Sequence, residues 1–221
     1  MVWVVIAAYN EEANIAKVVS SLLSFGYKNV IVVDDGSRDN TFKEAENSGA
    51  IVLIHSINRG QGAALQTGVE HALEQGADII VTFDADGQHR IEDIKAVVAP
   101  IKEGSADVVF GSRFLGHSKV PLLRRLLLFG SIFVVWVFYR VRMTDAHNGF
   151  RAFSRKAAIG LNILSDRMGH ASEIVDWVKK NNLRFVEVPV VVKYSHSRKG
   201  HGSYAQALKV LFDMLWRKLF Q

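Results

Sequence analysis

The sequence contains no cysteine and only three prolines. Without thiols there is no disulfide framework, no thiolate metal site and no thiol nucleophile, which is compatible with a reducing compartment. No proline-rich linker, internal repeat or low-complexity tract divides the chain. Long hydrophobic runs are missing too. The most extended charge-free stretch, Leu126–Tyr139, covers 14 residues. As a helix it reaches roughly 21 Å at 1.5 Å per residue, short of the ~30 Å hydrocarbon core, so no membrane span is expected. Arg124 and Arg125 flank it on one side, Arg140 and Arg142 on the other. That pattern suits either a core helix or an interfacial helix with snorkelling arginines. The opening MVWVVIAAYN carries no basic leader, so no signal peptide is read there.

The second half is poor in negative charge. The first 110 residues hold 8 Lys and Arg against 16 Asp and Glu, whereas the remaining 111 hold 19 against 6. The split implies two different jobs for the two halves. Nucleic acid is not the expected partner, because the basic residues are dispersed among aliphatics and no nucleic-acid motif is present.

What is present is a composition able to build a core: 49% hydrophobic and 22% charged residues over 221 positions. Short apolar runs at Trp3–Ala8, Val30–Val33, Ile51–Ile54, Ile79–Phe83 and Val108–Phe110 predict strands. Between them, Glu12–Phe25, Thr41–Ser48, Gln61–Gln75 and Ile91–Lys102 read as helices. This alternation predicts an α/β fold, a mostly parallel sheet with helices on both faces. In such sheets ligands bind beyond the carboxyl ends of the strands. Both aspartate clusters, Asp34-Asp35 and Asp84-Ala85-Asp86, fall there. Residues 1–110 and 111–195 form the two halves of one expected domain. Residues 196–221 form a tail in which Tyr204–Gln221 reads as an amphipathic helix. Its narrow polar stripe of Gln206, Lys209, Asp213 and Arg217 leaves a wide apolar surface for the body of the protein, a dimer partner or a membrane.

Asp84 and Asp86 leave a strand together, and Gly87 permits a sharp turn. Two carboxylates repel by about 1 kcal/mol at 4 Å even in water. A divalent cation turns that repulsion into attraction, and Mg2+ or Mn2+ often bridges one or two carboxylates to substrate phosphates. Gln88 offers a further amide oxygen.

Five segments in order resemble family 2 glycosyltransferases of the GT-A fold: residues 7–12 (AAYNEE), 32–37 (VVDDGS), 58–64 (NRGQGAA), 84–89 (DADGQH) and 145–151 (DAHNGFR). The subgroup most similar is that of dolichyl- and polyprenyl-phosphate sugar synthases, over about residues 2–195. The resemblance implies an inverting, metal-dependent transferase moving a sugar from a UDP- or GDP-sugar to a polyprenyl phosphate. Asp86 and Gln88 would ligate Mg2+ or Mn2+, with Asp84 on the nucleotide side. Asp35 would read the base, and Ala7, Tyr9, Glu11, Val33 and Ala85 would complete the nucleotide pocket. Gly60 and Gly62 would admit the diphosphate or simply start a helix. Arg113, with Arg124 or Arg125, would face the acceptor phosphate, since arginine pairs well with phosphate. Asp145 would position the acceptor first and act as a base second, because a phosphate is already anionic. Arg198 and Lys199 would close over the diphosphate, although the glycines around them are displaced by one place and Tyr204 stands where those synthases carry lysine. His89, His147 and His170 read as hydrogen-bonded or surface histidines. The implied setting is the cytoplasmic face of a membrane, held peripherally, by an integral partner or through a homodimer. A hydroxyl acceptor on a glycan, or a non-catalytic nucleotide-sugar-binding subunit, would be the alternatives.

Overall fold

A computed structural model describes residues 1–116, 128–130, 132, 136–137, 140–165 and 169–193. Arg124, Arg125, Arg198, Lys199 and the helix expected at 204–221 lie outside them, as does most of Leu126–Tyr139.

The strands are β1 (Val2–Ala8), β2 (Asn29–Asp34), β3 (Ile51–Ile54), β4 (Ile79–Asp84), β5 (Val108–Ser112), β6 (Arg151–Ser154) and β7 (Phe185–Pro189). The helices are α1 (Ile15–Ser24), α2 (Thr41–Asn47), α3 (Gln61–Glu74), α4 (Ile94–Lys102), α5 (Arg155–Gly160) and α6 (His170–Lys180), with a short 3-10 turn at Ile91–Asp93. One sheet of order β3-β2-β1-β4-β6-β5-β7 joins all the strands. The five strands and four helices expected in the first half are present, with ends shifted by a few residues.

Alternation along each strand divides the core. Val5, Ile31, Val33, Ile80, Val108 and Phe110 point to the face covered by α3, α5 and α6. Val4, Ile6, Val30, Val32, Val81 and Val109 point to the face covered by α1, α2 and α4. Successive strand residues face opposite sides, so these nearly uninterrupted apolar runs require a sheet buried on both faces.

The one reversal fixes the site. β6 is antiparallel to both β4 and β5, while β7 runs parallel to β5 along the sheet's edge. Its first residue, Arg151, therefore lies at the carboxyl end of β4 and β5, opposite Thr82 and Phe110. The loop leading into it, 145–150, is delivered to the same end as Asp84. The sequence pattern does not announce β6 or β7, because β6 opens on the charged Arg151 and β7 carries Glu187 at its centre, so neither presents an apolar run like those of the earlier strands.

Candidate active site

The carboxyl edge starts at β1. The register sets Ala7 between Val33 of β2 and Asp84 of β4. Beyond β1, Asn10 takes φ +54°. Its side chain accepts from the Arg38 N–H (2.9 Å), while its own N–H donates to Ser37 Oγ (2.9 Å). The Glu11 N–H donates to Thr41 Oγ1 (2.8 Å), tying the first loop to the second. Val33 and Ala85 are buried, their side chains in the two cores.

Asp35 is 3% exposed. Its Oδ1 accepts from the Arg59 N–H (2.9 Å) and faces His55 Nδ1 (2.7 Å), while Oδ2 accepts from the Gly60 N–H (2.6 Å). Asp35 thus organises the strap that leads into α3. Gly60 is needed there for its φ of +105°. Gly62 is needed for packing, since a Cβ would lie 1.9 Å from the Ser165 carbonyl oxygen. That contact comes from the chain itself and accounts for Gly62 without a diphosphate.

Asp84 and Asp86 part ways. Asp84 Oδ2 faces His89 Nε2 at 2.8 Å, and Oδ1 accepts weakly from Gln61 Nε2 at 3.4 Å. Burial pushes the Asp84 carboxyl up, but the His89 bond and the positive groups His89, Arg113 and His170 outweigh it and hold it below its ordinary value. Asp86 is held above the ordinary value by burial and then by the Asp84 charge, against one hydrogen bond from the Gln88 N–H (2.9 Å). Gly87 makes the turn with φ +70°. The strand end after β7 clamps this loop: His89 bridges Val192, and the Lys193 N–H donates to the Gln88 carbonyl (2.9 Å).

Gly149 explains why the 145–150 loop can lie so close. A Cβ there would sit 2.5 Å from Asp84 Oδ1. Gly149→Ala is therefore expected to displace Asp84 and cost about 1–3 kcal/mol, the usual range for overpacking. Activity should fall at least tenfold with it. Thermal unfolding and initial rates check both; unchanged values would show that Asp84 has room to move.

Asp145 is 1% exposed. Its Oδ2 accepts from both Nε (2.6 Å) and the backbone N–H (3.1 Å) of Arg113. Its Oδ1 is buried without a hydrogen-bond partner among the described residues. Glu187 of β7 fixes the turn, accepting from the Thr144 N–H (2.7 Å), the Asp145 N–H (2.9 Å) and Thr144 Oγ1 (2.8 Å). Nothing in the stretch Phe185–Pro189 marks Glu187 as a brace.

Arg151 lies over Phe110, with Cζ 5.6 Å from the ring centroid, and donates from Nη2 to the Ala146 carbonyl (3.2 Å). Burial lowers its pKa to about 10, opposed by the charges of Asp84 and Asp145. His147 differs from the hydrogen-bonded or surface histidine expected. Both ring nitrogens are buried and unpartnered, and burial with the Arg151 and Arg113 charges lowers its pKa to about 4, keeping the ring neutral. His89 Nδ1, Asn148 Nδ2 and Arg151 Nε are likewise unpartnered among the described residues. Buried polar atoms are rarely left so, and their concentration here is what a polar ligand would satisfy.

The described residues contain no group of three or more His, Cys, Asp or Glu side chains able to hold a metal by themselves. The chemistry still fits a hard divalent ion. Asp86 is buried beside the Asp84 carboxylate, whose charge disfavours its ionised form, and Mg2+ typically takes one or two carboxylates with substrate phosphates and water completing the shell.

A mostly parallel sheet with carboxylates gathered at its carboxyl edge, and a buried Asp–Arg pair beside them, defines a GT-A type transferase. Residues 3–161 match Glycosyl transferase family 2, and the chain belongs to that family: it is a glycosyltransferase. It is 36% identical over 245 residues to the UDP-N-acetylglucosamine–dolichyl-phosphate N-acetylglucosaminyltransferase of Methanococcus voltae, covering 99% of this chain and 96% of that one. With the dolichol-phosphate mannosyltransferase of Pyrococcus furiosus it shares 29% over 222 residues, or 96% and 61% of the two chains. The fold is similar to glucosyl-3-phosphoglycerate synthase of Mycobacterium tuberculosis crystallised with phosphoglyceric acid, with TM-score 0.79 and 21% identity, covering 100% of this chain and 81% of that chain. The same enzyme with Mn2+, UDP and glucosyl-3-phosphoglycerate gives 0.77 and 20%, covering 99% and 79%.

Proposed function

We propose that this glycosyltransferase moves a sugar from a UDP- or GDP-sugar to a polyprenyl phosphate of the dolichyl type, inverting the anomeric carbon. The observation that carries the reading is Asp145, braced by Glu187 and paired with Arg113, in the same strand-end cluster as Asp84 and Asp86. Two relatives named for dolichyl- or dolichol-phosphate transfer support it, one matched over 96% of its length and the other over 61%. Asp35, Ala7, Tyr9, Glu11 and Asp84 take the nucleotide side. Asp86 and Gln88 would hold Mg2+ or Mn2+ against the donor diphosphate, and the ion supplies charge neutralisation for the departing nucleoside diphosphate. Arg113 draws the acceptor phosphate and Asp145 orients Arg113. The new bond joins a phosphate oxygen to the anomeric carbon as its bond to the diphosphate oxygen breaks. A lipid acceptor would hold the enzyme peripherally at the cytoplasmic membrane face, alone, as a homodimer or on an integral partner. Among the described residues no helix is long and apolar enough to cross a membrane.

The unpartnered Asp145 Oδ1 favours one other reading, a hydroxyl acceptor deprotonated by Asp145. Asp145→Asn separates the two. With a phosphate acceptor, kcat is expected to fall by less than about tenfold, since the nucleophile is already ionised. Removing a true general base costs about 100- to 10,000-fold; a loss of that size on a glycan hydroxyl acceptor, with no turnover of polyprenyl phosphate by wild type, would overturn the lipid-phosphate reading.

A further inference from the structure

We infer that His55 makes Asp35 a single-acceptor reader of the donor base, and so selects uridine over guanosine nucleotides. An ionised carboxylate has about four acceptor positions. At Asp35, His55 Nδ1 and the Arg59 N–H fill both positions on Oδ1, and the Gly60 N–H fills one on Oδ2. One position on Oδ2 is left. Facing a carboxylate that only accepts, His55 Nδ1 must be the donor. Its Nε2 is fixed in turn by Thr67 Oγ1 of α3 at 3.0 Å. The ring is buried, 9% exposed, and its backbone N–H donates to the Asp34 carbonyl (2.9 Å). It is therefore held from three sides and cannot swing away to free Oδ1.

The capacity that remains matches one base better than the others. Uracil presents a single N–H between two carbonyls and needs one acceptor. Guanine presents an N–H and an amine side by side and needs both carboxylate oxygens; here its amine would be buried without a partner. Adenine and cytosine would set a ring-nitrogen lone pair against a carboxylate. Losing a hydrogen bond to a charged group, or burying an unpaired donor, costs about tenfold to a hundredfold in affinity.

The inference rests on the proposed reading that Asp35 faces the base, and its test separates the two. Binding of UDP and of GDP to the full chain is measured by titration calorimetry with Mn2+ at fixed concentration. Wild type is expected to prefer UDP by about tenfold to a hundredfold. His55→Gln, which reaches Thr67 but not Asp35, should weaken UDP and bring the UDP:GDP ratio toward one. His55→Asn, whose amide nitrogen takes the place of Nδ1, should restore the ratio. Thr67→Val removes the outer bond alone; it is expected to lower thermal stability and leave the ratio nearly intact, which a merely structural role for His55 would not produce. GDP binding as tightly as UDP in wild type, or a ratio untouched in His55→Gln, overturns the inference while leaving Asp35 as a base contact. If Asp35→Asn leaves the affinity for both nucleotides unchanged, the reading of Asp35 fails and the inference falls with it.

Discussion

Asp86→Ala is expected to abolish Mn2+-dependent nucleotide binding and to lower kcat/KM about 100- to 1,000-fold. Calorimetry with and without Mn2+ reads the first, and initial rates the second. The expectation comes from how the two aspartates are used. Asp84 is already engaged by His89 and Gln61. Asp86 is the carboxylate whose ionised form the fold disfavours, through burial and then through Asp84. A divalent ion relieves that conflict, and loss of one fixed electrostatic contact in a transition state commonly costs 100- to 1,000-fold. Unchanged Mn2+-dependent affinity would remove Asp86 from the metal site.

The same conflict has a stability signature of definite sign. Because folding raises the Asp86 pKa, the folded state binds this proton more tightly than the unfolded chain does. The cost of ionised Asp86 is then fully present above its folded-state pKa and absent below the unfolded value near 3.9. Metal-free Asp86→Asn should therefore melt higher than wild type at pH 7, by about 2–4 °C if the cost is near 1 kcal/mol. The two melting curves should converge as the pH falls below about 4. Asp84 has the opposite sign, since its pKa is lowered; its stabilisation is present above the unfolded pKa and is lost as pH falls through the folded one.

Why the first half of the chain was legible and the second was not follows from periodicity. Runs such as Val30–Val33 and Ile79–Phe83 end in aspartates, and a strand that is apolar on both faces has few other readings. The motifs then placed Asp84, Asp86, Arg113 and Asp145 at one edge, and the register brings them there. What the pattern could not carry was partnership. Asp35 looked like a free acceptor, yet a histidine twenty residues on and two backbone amides already occupy most of it. Arg151 looked like the end of a motif, yet the reversal of β6 makes it a buried cation between Asp84 and Asp145. Glu187 carried no mark at all. Each depends on a contact between distant segments, and local spacing holds no information about such contacts.

Arg113→Ala is expected to have the largest effect on stability. The Arg113–Asp145 pair is almost completely buried, with side-chain exposures of 7% and 1%. Removing one partner of such a pair leaves an uncompensated charge and costs about 3–5 kcal/mol. At roughly 2–4 °C per kcal/mol, that is a fall in Tm of about 6–20 °C. If the charge is the cause, Asp145→Asn in the same chain should recover much of the loss, giving a coupling of about 2–3 kcal/mol in the double-mutant cycle. If the cause were only the lost arginine stem, the two changes would add. Kinetics below the Tm of the variant test the second role of Arg113. The KM for polyprenyl phosphate should rise far more than the KM for the nucleotide sugar, because Asp35 and the strap at 55–60 are untouched. Equal changes in the two would mean that Arg113 serves the fold and the donor side rather than the acceptor. The pair would then be a structural ion pair at the edge of the site, and the acceptor phosphate would have to be drawn by other cations of the basic half.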